Sequence, residues 1–409
     1  KRQTVTYAGL EPVVNTGATA DLELTLTSGA DTATLVDYDF GNGTYGLILD
    51  GATFESTAFY APTSSLTIKL GSGDDSLTIS ATRFASGARL VVIGEGGDDS
   101  ITVSSSFATG GGHMGLAAET VTISDGVSIT TGGIGVAGDI RLGDACDAAS
   151  CTDDDLTVEG KSIDVGHTVS LDAGALDGET AEGAVVLTAF SDTDLTFINA
   201  LSPISPIIES VDIIVGGGTG DAEQTLLRGS DITVSAIATD SKLTQQIDNE
   251  VGSAWAGLLV GYVERAIDLV ISRFSGLNGQ LNIRGAGADI DLDNVHLDAS
   301  GDVTIEAQTT ATASLTTFSA NGVAGSGGAF QSITVAIGVG IATATSTVDL
   351  TSAEIEAGGD VSVTTSATTD AFVTALTSAN SSILGPDSVN PSNTDAKAFA
   401  VAVAVTEET

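Results

Sequence analysis

Leu66-Thr67-Ile68-Lys69-Leu70-Gly71-Ser72-Gly73-Asp74-Asp75-Ser76-Leu77-Thr78-Ile79 reads as two short strands around a turn. Leu66, Ile68 and Leu70 alternate with Thr67 and Lys69, and Leu77 and Ile79 flank Thr78. That is the period-two pattern of a strand with one face in a core. Glycine and aspartate between the runs mark the turn. The whole arrangement returns 24 residues later as Leu90-Val91-Val92-Ile93, Gly94-Glu95-Gly96-Gly97-Asp98-Asp99 and Ser100-Ile101-Thr102-Val103. Further out, Val121-Thr122-Ile123, Ile232-Thr233-Val234, Val303-Thr304-Ile305 and Val361-Ser362-Val363 have the same length and β-branched content. The chain is therefore expected to be all-β and many-stranded.

The turns repeat as well as the strands. Gly138-Asp139-Ile140, Ser230-Asp231-Ile232, Gly301-Asp302-Val303 and Gly359-Asp360-Val361 share a form: a small residue, an aspartate, then a strand. The last two belong to a longer match, in which Asp291 to Val303 aligns with Asp349 to Val361 at an offset of 58 residues. Ile333-Thr334-Val335-Ala336-Ile337-Gly338-Val339 is echoed by Phe399-Ala400-Val401-Ala402-Val403-Ala404-Val405, where the chain stops in mid-repeat. Such a period marks a repeat architecture. Strands joined by Gly/Asp turns point to a parallel β-solenoid, whose coils stack about 4.8 Å apart around a narrow interior. A β-sandwich array is the rival. Lys1 and the mid-repeat end suggest a mature or excised segment of a protein that continues. Thr-x-Thr does not return at a regular sequence spacing, so an ordered hydroxyl face of the kind used to bind ice is not expected.

Of 409 residues, 54 are acidic and 13 basic, a formal charge of −41. Phosphate backbones and anionic lipids are met by clustered Lys and Arg, so nucleic acid is excluded as a primary ligand. No run of about 18 apolar residues appears, and no membrane insertion is expected. Aromatics make up only 4% of a chain that is 42% hydrophobic, so small and β-branched side chains must fill the interior.

One segment departs from the strand pattern. Ile247, Val251, Trp255, Leu258, Leu259, Tyr262, Val263, Ala266, Ile267, Val270 and Phe274 recur at three- and four-residue spacing, which predicts an amphipathic helical insert over 243–274. It would pack on the solenoid flank or serve a partner. The expected organisation is an N-terminal β region (1–65), a solenoid with Gly/Asp turns (66–236), the helical insert (237–278) and a second solenoid stretch of 58-residue repeats (279–409).

Three features could carry chemistry. Cys146 and Cys151, in an acidic loop, have a spacing that can close a small disulfide in an oxidising compartment. A two-thiol metal site or two free thiols are the alternatives. His113, His167 and His296 show no triad or metal spacing and are expected as exposed turn or strand residues. The sharpest motif is the pair of turns carrying Gly73, Asp74, Asp75 and Gly97, Asp98, Asp99. Glycines permit a tight turn, aspartates supply hard oxygens, and the following aliphatic residue anchors the next strand.

Both turns resemble the repeats-in-toxin nonapeptide, which implies Ca2+ held by these six residues. The copies lie 24 residues apart and not in tandem nines, and Leu70 and Glu95 stand where that family has glycine. Plain Asp/Gly turns are the alternative. Residues 301–307 and 359–365, with the Ala/Val-alternating strands, resemble the large-exoprotein repeats of giant bacterial surface proteins, which look like filamentous-haemagglutinin β-helices. That resemblance implies a secreted, cell-surface protein with a structural or adhesive role. Its partners would be other copies or neighbouring repeats end to end, or surface glycans and cell-surface proteins. A self-assembling filament or sheath subunit is the alternative. A polysaccharide-degrading β-helix enzyme would need paired carboxylates with basic or aromatic sugar platforms, and no such constellation is recognisable.

Overall fold

The computed structural model describes residues 13–41, 43–143, 161–174, 182–192, 204–217, 224–240, 245–248, 277–322, 332–380 and 396–408. Among them are 28 strands and no helix. The chain winds through three sheets of ten, twelve and six strands. One turn runs through Arg89–Gly96 in the ten-stranded sheet, Ser100–Val103 in the twelve-stranded sheet and Phe107–Ala108 in the six-stranded sheet. Met114–Ala117 then lies parallel to Arg89–Gly96, one coil further on. The same cycle continues to Val361–Asn380 and Ala396–Glu408. The all-β solenoid reading agrees with these long parallel sheets.

The alternation in the sequence sets which side chains enter the core. Leu66, Leu90, Met114, Ile140, Val185, Ile232 and Val303 stack in register as one buried column. Leu77, Ile101, Val121, Ile163, Ile213 and Ile290 form another on the twelve-stranded sheet. Burying one Leu or Ile contributes about 1.5–3 kcal/mol, and each column repeats that contribution coil after coil. Register is strict because a slip of one residue would turn every core side chain outward.

The N-terminal end is built differently. Thr32–Gly41, Thr44–Gly51 and Thr57–Phe59 form an antiparallel meander that extends the twelve-stranded sheet. Gly41 and Gly43, at φ +86° and +76°, make its first hairpin turn. At the other end the strands lengthen, with 20 residues each in Val303–Gly322, Ser332–Thr351 and Val361–Asn380. These pack closely because their facing residues are small. A Cβ on Gly340 would lie 2.7 Å from Val373 Cγ2, and Ala311, Ala313, Ala342 and Ala344 are buried. The low aromatic content follows from this thin interior.

Three expectations need correction. Among the described residues the helical insert is not found: Ile232–Asp240 runs as a strand along 303–311, and Gln245–Asp248 pairs in parallel with 315–318. Of the residues that carry the three- and four-residue apolar spacing only Ile247 is described, and there the ladder of backbone hydrogen bonds along the neighbouring strand takes the place of a helix. Leu277–Asp293 is again a strand, and 249–276 lie outside the described residues. The echo of Ile333 by Phe399 is displaced by two residues, because Phe399 stands beside Val335. A two-residue shift keeps each side chain on its face. Finally, Thr34, Thr78, Thr102 and Thr122 do stack in register on the outward side. Loops of different length absorb the irregular spacing that hid this column. Cys146 and Cys151 lie outside the described residues.

A buried ion pair sits where the 58-residue stretch begins. Arg284 Nη1 donates to Asp240 Oδ1 at 3.1 Å, and both side chains are essentially inaccessible to solvent.

Candidate functional site: stacked carboxylates at two corners

Each coil must bend between sheets, and at the bend the strand-to-strand ladder is interrupted. Acidic side chains carry hydrogen bonds across two of these corners. At the corner leading into the twelve-stranded sheet, Asp31, Asp75, Asp99 and Glu119 each stand immediately before a strand. The Asp31 N–H donates to Asp75 Oδ1 (2.6 Å), the Asp75 N–H to Asp99 Oδ1 (2.8 Å) and the Asp99 N–H to Glu119 Oε2 (2.8 Å). Backbone bonds run the other way, from Ser76 N–H to Asp31 O, Ser100 N–H to Asp75 O and Thr120 N–H to Asp99 O. The carboxylate thus satisfies a backbone donor that would otherwise be buried without a partner.

The sequence-predicted residues divide by face. Asp75 and Asp99 are each 2% exposed, whereas Asp74 and Asp98 face solvent. The Asp98 N–H donates to Asp74 Oδ1 at 3.1 Å, and Lys161 Nζ lies 3.9 Å from Asp98 Oδ1. Gly73 and Gly97, at φ +138° and +136°, bring successive turns together so closely that a Cβ on Gly97 would lie 1.9 Å from Gly73 O. The Gly73 N–H donates to Gly96 O at 2.7 Å. Glu95 takes the position of Gly71 and adopts φ +74°, with its carboxylate 3.7 Å from Lys69 Nζ.

Burial pushes the Asp99 carboxyl up to about 7, and the neighbouring charges of Glu119, Asp75 and Asp74 act in the same direction, while the hydrogen bond from the Asp75 backbone opposes them. Asp75 is raised for the same first reason, with repulsion from Asp31 and Asp74 adding to it. Glu119 is also raised by burial, against the opposing charge of Lys161. Each of Asp75 and Asp99 spends one oxygen on a backbone N–H. Their remaining oxygens, Asp75 Oδ2 and Asp99 Oδ2, are buried and have no hydrogen-bond partner. Such an oxygen must hold a proton, meet a cation or remain an electrostatic cost.

The second corner, leading into the ten-stranded sheet, explains the repeated aspartate before a strand. The Ala184 N–H donates to Asp139 Oδ1 (2.9 Å), the Asp302 N–H to Asp231 Oδ1 (2.9 Å) and the Asp360 N–H to Asp302 Oδ1 (2.8 Å). His113 Nδ1 plays the same part by accepting from the Asp139 N–H at 2.9 Å. The His113 side chain, with Nδ1 3.6 Å from Asp139 Oδ2, also acts on that carboxylate and holds it below its usual range. This corner is solvated and its acceptors are engaged, so it reads as a structural fastening.

Asp31 and Glu119 were missed in the sequence because neither carries the doubled aspartate: Asp31 follows Gly29-Ala30, and Glu119 follows Ala117-Ala118. Their signal was positional: an acidic residue directly before Thr32 and Thr120, as Asp75 precedes Ser76 and Asp99 precedes Ser100. No protein-family model, no curated protein and no solved structure matches this chain.

Proposed function

We propose that this chain is a non-enzymatic structural or adhesive segment of an extracellular surface protein, with Ca2+ stabilising its first carboxylate corner. The observation that carries the reading is the in-register parallel stacking itself. It makes a stiff body with its apolar residues inside and polar residues outside, and it transmits load through backbone hydrogen bonds along the coil axis. The strong net negative charge suits a protein kept soluble among other macromolecules. Ca2+ is supported by the two buried partnerless oxygens of Asp75 and Asp99, one coil apart, with Asp74 and Asp98 on the solvent side of the same turns. Calcium favours such all-oxygen surroundings.

A second reading, a self-assembling filament or sheath subunit, is favoured by the far end of the solenoid. Val361, Val363, Phe372, Val401, Val403 and Val405 are exposed there. An open strand edge with an apolar face can be extended by another strand from a further coil or another copy. Sedimentation of the purified chain over a wide concentration range separates the readings. A discrete particle that leaves polysaccharides intact is the result expected for a stalk or adhesive segment. Regular fibres, stopped by Val363→Lys with Val403→Lys, would establish the subunit. Turnover of a polysaccharide would overturn both.

A further inference from the structure

We infer that His296, Glu354 and Glu356 form a binding site for a first-row divalent metal ion of the zinc type. His296 lies on Val295–Ala299 and both glutamates on Glu354–Ala357, neighbouring parallel strands of the six-stranded sheet. The register sets His296 beside Glu354 and Asp298 beside Glu356. Val295, Leu297 and Ala299 turn into the core, so the alternate residues turn outward. One imidazole nitrogen and one oxygen from each carboxylate all lie within 4.8 Å of one another, and this is the one such set of three among the described residues.

Donors gathered within that span can be drawn together by one cation at about 2.0–2.2 Å from each. An independent observation points the same way: His296 Nε2 is shielded from solvent and has no hydrogen-bond partner. An imidazole in that state has a ring nitrogen to offer, where most surface histidines give both to water. The neighbouring carboxylate does not compete, because Asp298 is held by Arg228 Nε at 3.4 Å. Strands fix the donors more firmly than a loop would. One nitrogen and two oxygens suit Zn2+ and its first-row neighbours, whereas Ca2+ takes oxygen ligands alone. Three protein donors leave a coordination position for water or for a donor from another molecule. The site is separate from the Asp75 and Asp99 corner and does not depend on the calcium reading.

The test is titration of the chelator-treated full chain with Zn2+, in excess Mg2+ to occupy non-specific carboxylates. Co2+ is added in parallel for its visible d–d absorption. The expected result is one tight site whose affinity falls at least about tenfold in His296→Gln and in Glu354→Gln with Glu356→Gln, while His167→Gln leaves it unchanged. These side chains face outward, so melting curves in chelator should match across the variants. A parent chain without a saturable site, or with one that survives His296→Gln, would overturn the assignment. A Co2+ spectrum identical to that of the free hexaaqua ion would do the same.

Discussion

Asp240→Ala is expected to lower the free energy of unfolding by about 3–5 kcal/mol, the usual cost of removing one member of a buried ion pair. The change should appear as a lower urea midpoint with an unaltered slope. Among the described residues Arg284 is the largest fully buried side chain, and its guanidinium meets Asp240 Oδ1 at 3.1 Å in the coil interior. Without the carboxylate, a full positive charge stays where water cannot solvate it. Arg284→Met combined with Asp240→Leu should recover most of the loss, because an apolar pair of similar volume escapes the desolvation cost altogether. A single substitution that costs less than about 1 kcal/mol would mean that water reaches the pair and that it behaves as a surface bridge.

The second large effect is a dependence on pH that runs opposite to ordinary acid denaturation. Asp99 titrates near 7 in the fold, and Asp75 and Glu119 shift the same way. A carboxyl raised on folding binds its proton more tightly in the native state. Between about pH 4, where the unfolded group ionises, and pH 7, the native state therefore holds the extra proton and stability falls as pH rises. At one unit per 1.36 kcal/mol, reduced for solvent screening at the exposed side of the turn, the loss through Asp99 is on the order of 2 kcal/mol. Asp99→Asn keeps a carbonyl oxygen for the Asp75 N–H and removes the charge. In metal-free buffer the variant should match the parent near pH 4 and unfold at higher urea near pH 8. Equal slopes for the two proteins would show that Asp99 is ionised throughout and that the corner is open to water.

Much of this fold was legible because a solenoid writes its coil into the sequence. The 58-residue alignment is realised residue for residue: Leu292 stands beside Leu350, Leu297 beside Ile355 and Val303 beside Val361. The small residue and aspartate before Ile140, Ile232, Val303 and Val361 mark one corner in four visits to the same sheet. The 24-residue spacing of the glycine turns likewise survives as direct stacking of Asp75 on Asp99. What the pattern concealed was non-local. Asp31 reaches the column across 44 residues, because the antiparallel meander is inserted between the two coils. The strand at 245–248 could not be read from its neighbours, since its partner lies some 70 residues away and the local apolar spacing favours a helix. The pairing of Asp240 with Arg284 was equally hidden, joining two charged residues 44 positions apart.

The corner carboxylates connect the fold to its proposed setting. At neutral pH a column of Asp75, Asp99 and Glu119 is poorly stabilised, and the overall charge of −41 adds repulsion to the compact state. A divalent cation at the partnerless oxygens would replace the missing proton and relieve the repulsion between coils. The chain would then be fastened most firmly where calcium is abundant, as it is outside cells.

The most direct test is a melting curve near pH 8 in chelator, in calcium and in magnesium at equal ionic strength, for the parent chain, Asp75→Asn and Asp99→Asn. The predicted result is a midpoint raised by calcium well beyond magnesium in the parent, equivalent to about 2.7 kcal/mol at a hundredfold excess over Kd, and no such difference in either variant. If magnesium raises the midpoint as much as calcium, or if both variants respond as the parent does, the ions only screen the surface charge and calcium does not fasten this corner.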